Sequence, residues 1–157
     1  LIACIQGPAV GMAVTILPYF DMVYAAERAT FQTPFVQLGL VLEYGSSFTL
    51  PRLIGRQRAS ELVLRGKPIS AQKAAEWGLV TDVFASEALD DEVLRIATDV
   101  ANAPPGAVAA CKRLLIDGEE ASLAEATAAE NVALGSRYGS AENVNAVTAI
   151  LNKGKRS

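Results

Sequence analysis

The apolar positions of this chain change their spacing part-way along, from short runs bounded by Gly and Pro to a recurrence every three or four residues. Leu1 to Ile5 is an apolar run ending in Gln6-Gly7-Pro8, the pattern of a buried strand entering a turn. From Gly11 the segment MAVTILPYF predicts a helix of about two turns, because Pro18 lacks the N–H that would bond back to Val14. Asp21 opens a second strand-like run, MVYAA, and Thr30 to Thr33 alternates enough to form a strand that Pro34 stops. Phe35 to Leu42 is apolar, too short and irregular for a helix, and leads to Glu43. Gly45-Ser46-Ser47 then predicts a helix entry with the serines as capping residues, its length limited by Pro51 and Gly55.

Helical spacing takes over from Arg56. Ala59, Leu62 and Val63 share one face of a helix that ends at Gly66, and Ser70 N-caps the next, AQKAAEW, which ends at Gly78. Leu79 to Phe84 reads as a last strand. Leu89, Val93, Ile96, Ala97 and Val100 then mark a helix within Glu87 to Ala103, closed by Pro104-Pro105-Gly106. Further helices are predicted over Ala107 to Asp117, over Leu123 to Ser136 behind a Ser122/Glu125 capping box, and from Ser140 to near Leu151, with NKGKRS as a frayed tail. No internal repeat is visible. The expected organisation is a strand–helix region over 1–103 and a helical region over 104–157.

Composition narrows the function classes. The chain has 157 residues, 51% of them hydrophobic, enough for a substantial core. Its apolar runs break well before the ~20 residues a bilayer requires, and no signal peptide opens it, so neither membrane insertion nor export is expected. Leu1 begins directly inside an apolar run, as in a chain that starts mid-fold. Net charge is −3 and the 14 Lys and Arg are scattered, which argues against nucleic acid as a partner. Cys4 and Cys111 lie in apolar contexts without metal-ligand spacing and read as reduced, buried thiols of a cytoplasmic protein with no metal site. There is no histidine, so proton transfer falls to carboxylates.

Familiar nucleotide and nucleophile motifs fail. Gly7-Pro-Ala-Val-Gly11 runs into Met12 and Ala13 rather than Lys-Ser/Thr, and Gly45-Ser46-Ser47 has neither a closing Gly nor a His to activate a hydroxyl. Two features carry chemistry. The turn at Gly11 opens a helix, so the Met12 N–H is a candidate donor to developing negative charge. Glu43 stands among Val41, Leu42 and Tyr44, where desolvation is expected to raise its pKa towards that of a general base for a carbon acid.

The pieces IQGPAVGMAVT, DMVYAAERATFQTP and LPRLIGRQRASELVLRGKPISAQKAAEWGLV, in that order, resemble the second half of the enoyl-CoA hydratase/isomerase, or crotonase, superfamily. The match extends from Leu1 to about Phe84 and continues less specifically through the helical tail. This resemblance implies an α/β fold with a partial crotonase-like spiral ββα core and a C-terminal helical trimerisation region. It also implies an acyl-CoA thioester as substrate, with CoA part of that substrate and no separate cofactor, and a homotrimer or hexamer. Met12 matches the family's backbone donor to the thioester oxygen; the second donor belongs to an earlier part of that fold. The two glutamates that hydratases of the family use match Thr15 and Phe35, so hydration is disfavoured.

FQTPFVQLGLVLEYGSSFTLP is instead similar to the Δ3,Δ2-enoyl-CoA isomerases, with Glu43 in the place of the single catalytic glutamate and Thr33-Pro34-Phe35 and Leu38-Gly39 as supporting elements. Tyr44 departs from the glycine common after that glutamate. The resemblance therefore implies double-bond migration in fatty-acid β-oxidation, with Glu43 as base, Met12 in the oxyanion hole, and Gly11, Thr15, Phe35, Leu38, Leu42 and Phe48 around the substrate. The alternatives are another crotonase-family reaction on acyl-CoA, such as dienoyl isomerisation or ring-forming synthesis, or a non-catalytic acyl-CoA-binding or scaffold protein.

Overall fold

Short strands and amphipathic helices alternate through the first part of the molecule, as a computed structural model describing residues 1–153 shows. The strands are β1 (Ile2–Ile5), β2 (Ala9–Val10), β3 (Met22–Ala26), β4 (Thr30–Gln32), β5 (Ile69–Ser70) and β6 (Asp82–Phe84). The helices are α1 (Met12–Thr15), α2 (Ser46–Ile54), α3 (Arg56–Arg65), α4 (Ala71–Trp77), α5 (Leu89–Ala101), α6 (Pro105–Gly118), α7 (Leu123–Arg137) and α8 (Ala141–Lys153), with single 3₁₀ turns at Leu17–Tyr19 and Val36–Leu38. Two compact units result, Leu1–Ile96 and a second beginning at Ala97, so the division falls inside α5.

In the first unit β1, β3 and β6 form a parallel sheet in the order β1-β3-β6, pairing Ala3 with Val23 and Ala25 with Val83. A second sheet, β2-β4-β5, joins β2 to β4 in parallel and β4 to β5 antiparallel. The core between these strands and α2–α4 is built around Phe31, Leu50, Leu62 and Leu79, each at most 2% exposed. Helix α3 buries Ala59, Leu62 and Val63 as their spacing predicts, and Ser70 caps α4 by accepting the Lys73 N–H at 3.2 Å.

Several expectations need correction. The two-residue strands β2 and β5 were not anticipated. Pro51 does not end α2: the helix runs to Ile54, because Ser46, Leu50 and Ile54 form a buried i, i+4, i+8 stripe that outweighs the bond a proline removes. Ser46 is the first helical residue rather than a cap; the N-cap is Gly45 and makes no side-chain cap bond. Leu79 and Val80 are buried but not extended, since both N–H groups return to the Ala74 carbonyl to finish α4, and β6 begins at Asp82.

Both cysteines are exposed and unpaired, not buried. On β1 the side chains alternate, so Ala3 faces the core and Cys4 the other side. Partial burial of its sulfur, together with the hydrogen bond to Asp90 at 3.4 Å and that carboxylate's charge, pushes the Cys4 thiol up from its ordinary value. Of the expected frayed tail, Asn152 and Lys153 belong to α8, and 154–157 lie outside the described residues.

In the second unit the Ser122/Glu125 capping box is formed at the start of α7. Glu142 on α8 accepts the Gly106 N–H at 3.1 Å and pairs with Arg137, which ties α6, α7 and α8 together. Neither α6 nor α7 has a buried residue. Among the described residues, no helix is long and apolar enough to cross a membrane.

Candidate active site

The site begins where β2 runs into α1. The Gly11 N–H donates to the Gln32 carbonyl at 2.9 Å, extending the β2–β4 pairing by one residue. Gly11 then turns at φ 61, ψ −118, a conformation that L side chains rarely adopt, and its carbonyl accepts from Val14 and Thr15 N–H at 2.9 and 3.1 Å. Met12 and Ala13 consequently occupy the first two helical positions, whose N–H groups a helix cannot satisfy internally. Met12 is 56% exposed. A Cβ at Gly11 would meet the Phe35 ring at 4.0 Å, so Phe35 packs over the turn.

Thr15 is completely buried, and its hydroxyl donates to the Met12 carbonyl at 3.4 Å. Phe35 is also buried. What holds Phe35 there is the C-terminal end of α3, whose last carbonyls need partners. Gln32 Nε2 donates to the Gly66 carbonyl at 2.7 Å, Thr33 Oγ1 to that of Leu62 at 3.1 Å, and Gln37 Nε2 to that of Arg65 at 2.8 Å. Three polar side chains thus anchor the connection from β4 on one helix end. Sequence reasoning missed this, and the polar positions 32, 33 and 37 around Pro34 were the available signal.

Glu43 follows on a loop fixed through its backbone. The Ser46 N–H and Oγ both donate to the Glu43 carbonyl, at 3.0 and 2.6 Å. The carboxylate itself belongs to an exposed residue, and Val41 and Tyr44 are 84% and 52% exposed. This corrects the expectation of a desolvated Glu43: Val41 is open to solvent, Leu42 packs against the core and the Tyr44 ring meets Tyr19, so none of them encloses the exposed Glu43.

The remaining pocket candidates separate. Leu42 is half-buried, packs against the core and lines a cavity of about 240 Å³ with Leu50, Ala59 and Val63. Phe48, on α2, carries the Arg52 guanidinium 3.3 Å over its ring, and Leu38 is 66% exposed. Gly11, Met12, Thr15 and Phe35 are therefore joined by contacts or hydrogen bonds, and the Leu38 N–H donates to the Phe35 carbonyl at 3.1 Å, whereas Leu42 and Phe48 lie on separate elements. Of the eight candidate residues only Glu43 is titratable. Among the described residues, no three His, Cys, Asp or Glu side chains come together as a metal site.

Comparison with known proteins bears on this arrangement. The family model described as Enoyl-CoA hydratase/isomerase matches residues 1–157. Enoyl-CoA delta isomerase 2 of Rattus norvegicus is 39% identical over 153 residues, which is 98% of this chain and 39% of that protein. The human Chromodomain Y-like protein is 31% identical over 153 residues, covering 98% of this chain and 26% of the relative. Among solved structures, an enoyl-CoA hydratase from Bacillus anthracis superposes with a TM-score of 0.92 at 32% identity, over 97% of this chain and 59% of the other. The chain thus spans about two fifths of the isomerase and shares a crotonase-like α/β fold. It belongs to the enoyl-CoA hydratase/isomerase family.

Proposed function

We propose that this chain carries part of the active site of a Δ3,Δ2-enoyl-CoA isomerase, which moves the double bond of a 3-enoyl-CoA to give trans-2-enoyl-CoA. The observation that carries the reading is the single carboxylate: Glu43 is the only titratable candidate, while the positions of a hydratase's two glutamates by resemblance hold Thr15 and Phe35, both buried. The 39% identical relative named an enoyl-CoA delta isomerase supports the same choice.

The chemistry follows from the substrate. Protons at C2 of a 3-enoyl thioester are acidic because the carbanion delocalises onto the thioester oxygen as a dienolate. The Met12 N–H, at the start of α1, would donate to that oxygen as charge develops. Glu43 would take the C2 proton and return it at C4, so one base serves both steps. Thr15 and Phe35 offer no second base to activate water. The second oxyanion donor and much of the CoA surface belong to parts of the family fold outside this chain's match, and the assembly is proposed to be a homotrimer or hexamer.

Glu43→Gln is expected to reduce formation of the conjugated 2-enoyl thioester, followed by its ultraviolet absorbance, by about a hundredfold or more, with the unfolding midpoint unchanged. Undiminished turnover would remove Glu43 from the mechanism. A non-catalytic acyl-CoA-binding role is the second reading, favoured by the exposure of Glu43. Ligand binding without deuterium exchange at C2 would select it.

A further inference from the structure

Beside Glu43 the backbone does something that side-chain chemistry ordinarily resists. Tyr44 has φ 58, the only positive φ at a non-glycine among the described residues, and an L side chain there crowds the neighbouring carbonyl. Gly45 follows at φ 70, so two left-handed residues in succession turn the chain from Glu43 into α2. An isolated tyrosine would leave this conformation readily.

The opposing contact comes from Tyr19, in the 3₁₀ turn that follows α1. Its hydroxyl donates to the Tyr44 carbonyl at 2.8 Å. The two rings also meet edge to face, with centroids 5.5 Å apart and planes at 79°. A Cβ on Gly45 would lie 3.0 Å from the Tyr19 hydroxyl, so the small residue at 45 is what lets the hydroxyl reach the carbonyl. The Glu43 carbonyl is already held by Ser46 through two hydrogen bonds. Peptide groups on both sides of the Tyr44 Cα are thereby fixed, one to α2 and one to the segment leaving the Gly11 turn.

We propose that Tyr19 and Tyr44 form a clamp that holds the strained Glu43 loop against the 3₁₀ turn directly following α1, whose first residue carries the Met12 N–H, making Tyr19 a positioning residue for the proton-transfer step. The proposal rests on the isomerase reading for its catalytic part and on geometry alone for its mechanical part. Tyr19 touches neither Glu43's carboxylate nor the substrate in this reading; it acts through the Tyr44 carbonyl. The clamp sets where the base sits, so its loss should appear in kcat rather than in KM.

The test uses Tyr19→Phe, which keeps the ring and removes the hydroxyl, in the full-length protein. Amide hydrogen exchange is measured over peptides spanning 41–48, and turnover of a 3-enoyl-CoA is measured in parallel. The Ser46 N–H, which bonds the Glu43 carbonyl, is expected to exchange about two- to tenfold faster, with α3 and α4 unchanged. The same variant is expected to lower kcat by a similar factor at constant KM. In a Tyr44→Gly background, where the left-handed conformation is no longer strained, the effect of Tyr19→Phe should shrink towards none.

Unchanged exchange over 41–48 would overturn the clamp. Faster exchange with unchanged kcat would overturn its positioning role, as would an equal loss in the Tyr44→Gly background. Failure of the isomerase reading is separable, since it would show as full activity of Glu43→Gln or as no turnover by the wild type. In that second case the exchange measurement alone decides the clamp.

Discussion

The two compact units use the same apolar residue types in opposite ways. In the first, Leu1–Ile96, large apolar side chains such as Phe31, Leu50, Leu62, Leu79 and Leu89 are at most 2% exposed. In the second, Leu115, Leu123, Val132, Leu134 and Ile150 are between 64% and 85% exposed. Both regions contain amphipathic helices, so propensity does not separate them. What separates them is the presence of sheets: β1-β3-β6 and β2-β4-β5 give α2–α4 something to cover, whereas α6 and α7 bury no residue at all. Packing rather than intrinsic helicity stabilises short helices in water, so α6 and α7 draw less stability from burial than α2–α4 do.

The sharpest contrast is between Phe31 and Leu134. Phe31 sits on β4 with no exposed surface, and Phe31→Ala is expected to cost about 3–5 kcal/mol in a urea titration. Leu134 is 64% exposed beside a cleft of about 590 Å³ between α6 and α7. Leu134→Asp is expected to change unfolding of the isolated chain by no more than about 0.5 kcal/mol. If the proposed homotrimer or hexamer uses this face, the same substitution should reduce the mass in sedimentation equilibrium to that of the single chain. An equal stability loss from both substitutions would erase the distinction between the units.

The same contrast explains what was legible in the sequence. Caps and helix ends are local events, so Ser70, Gly66, Gly78 and the Ser122/Glu125 box could be read directly. The buried face of α3 was legible because ten residues display a period. A two-residue strand displays none, and β2 and β5 exist only because β4 lies between them. Burial at Cys4 and Glu43 failed for a related reason. An apolar neighbourhood in sequence does not say which way a side chain points, and on β1 alternate residues face opposite sides. Met12 and Glu43 stand out from their local sequence and the other site candidates by resemblance; the polar types at 32, 33 and 37 are visible in the sequence, but their partners at the end of α3, like the Tyr19–Tyr44 contact, are long-range and appear only in three dimensions.

A smaller effect probes whether α7 has any stability of its own. Ser122 Oγ accepts the Glu125 N–H at 3.3 Å and donates to the Glu125 carboxylate at 2.7 Å, which also takes the Ser122 N–H at 2.9 Å. Ser122→Ala is expected to cost about 1 kcal/mol of helix stability, read as lost helicity or a lower midpoint for the second unit. Tertiary packing would mask such a loss in a well-buried helix, whereas in α7 it should be visible. An unchanged midpoint would mean that α7 is held by contacts other than its cap.

The least disruptive probe is pH, acting on the same box. The Ser122 hydroxyl, and then the Ser122 backbone N–H, hydrogen-bond the ionised Glu125 and hold its pKa below the ordinary carboxylate value. Because the folded value is the lower one, the stabilisation is present above the unfolded pKa and is lost as pH falls through the folded one. Helicity of α7 should therefore decline on acidification below the usual carboxylate range and recover on return to neutrality. Following the Glu125 side-chain carbonyl by NMR should show a depressed midpoint that moves back up in Ser122→Ala. A normal midpoint in the unmodified chain would show that the box is open in solution, leaving α7 dependent on the surface it packs against.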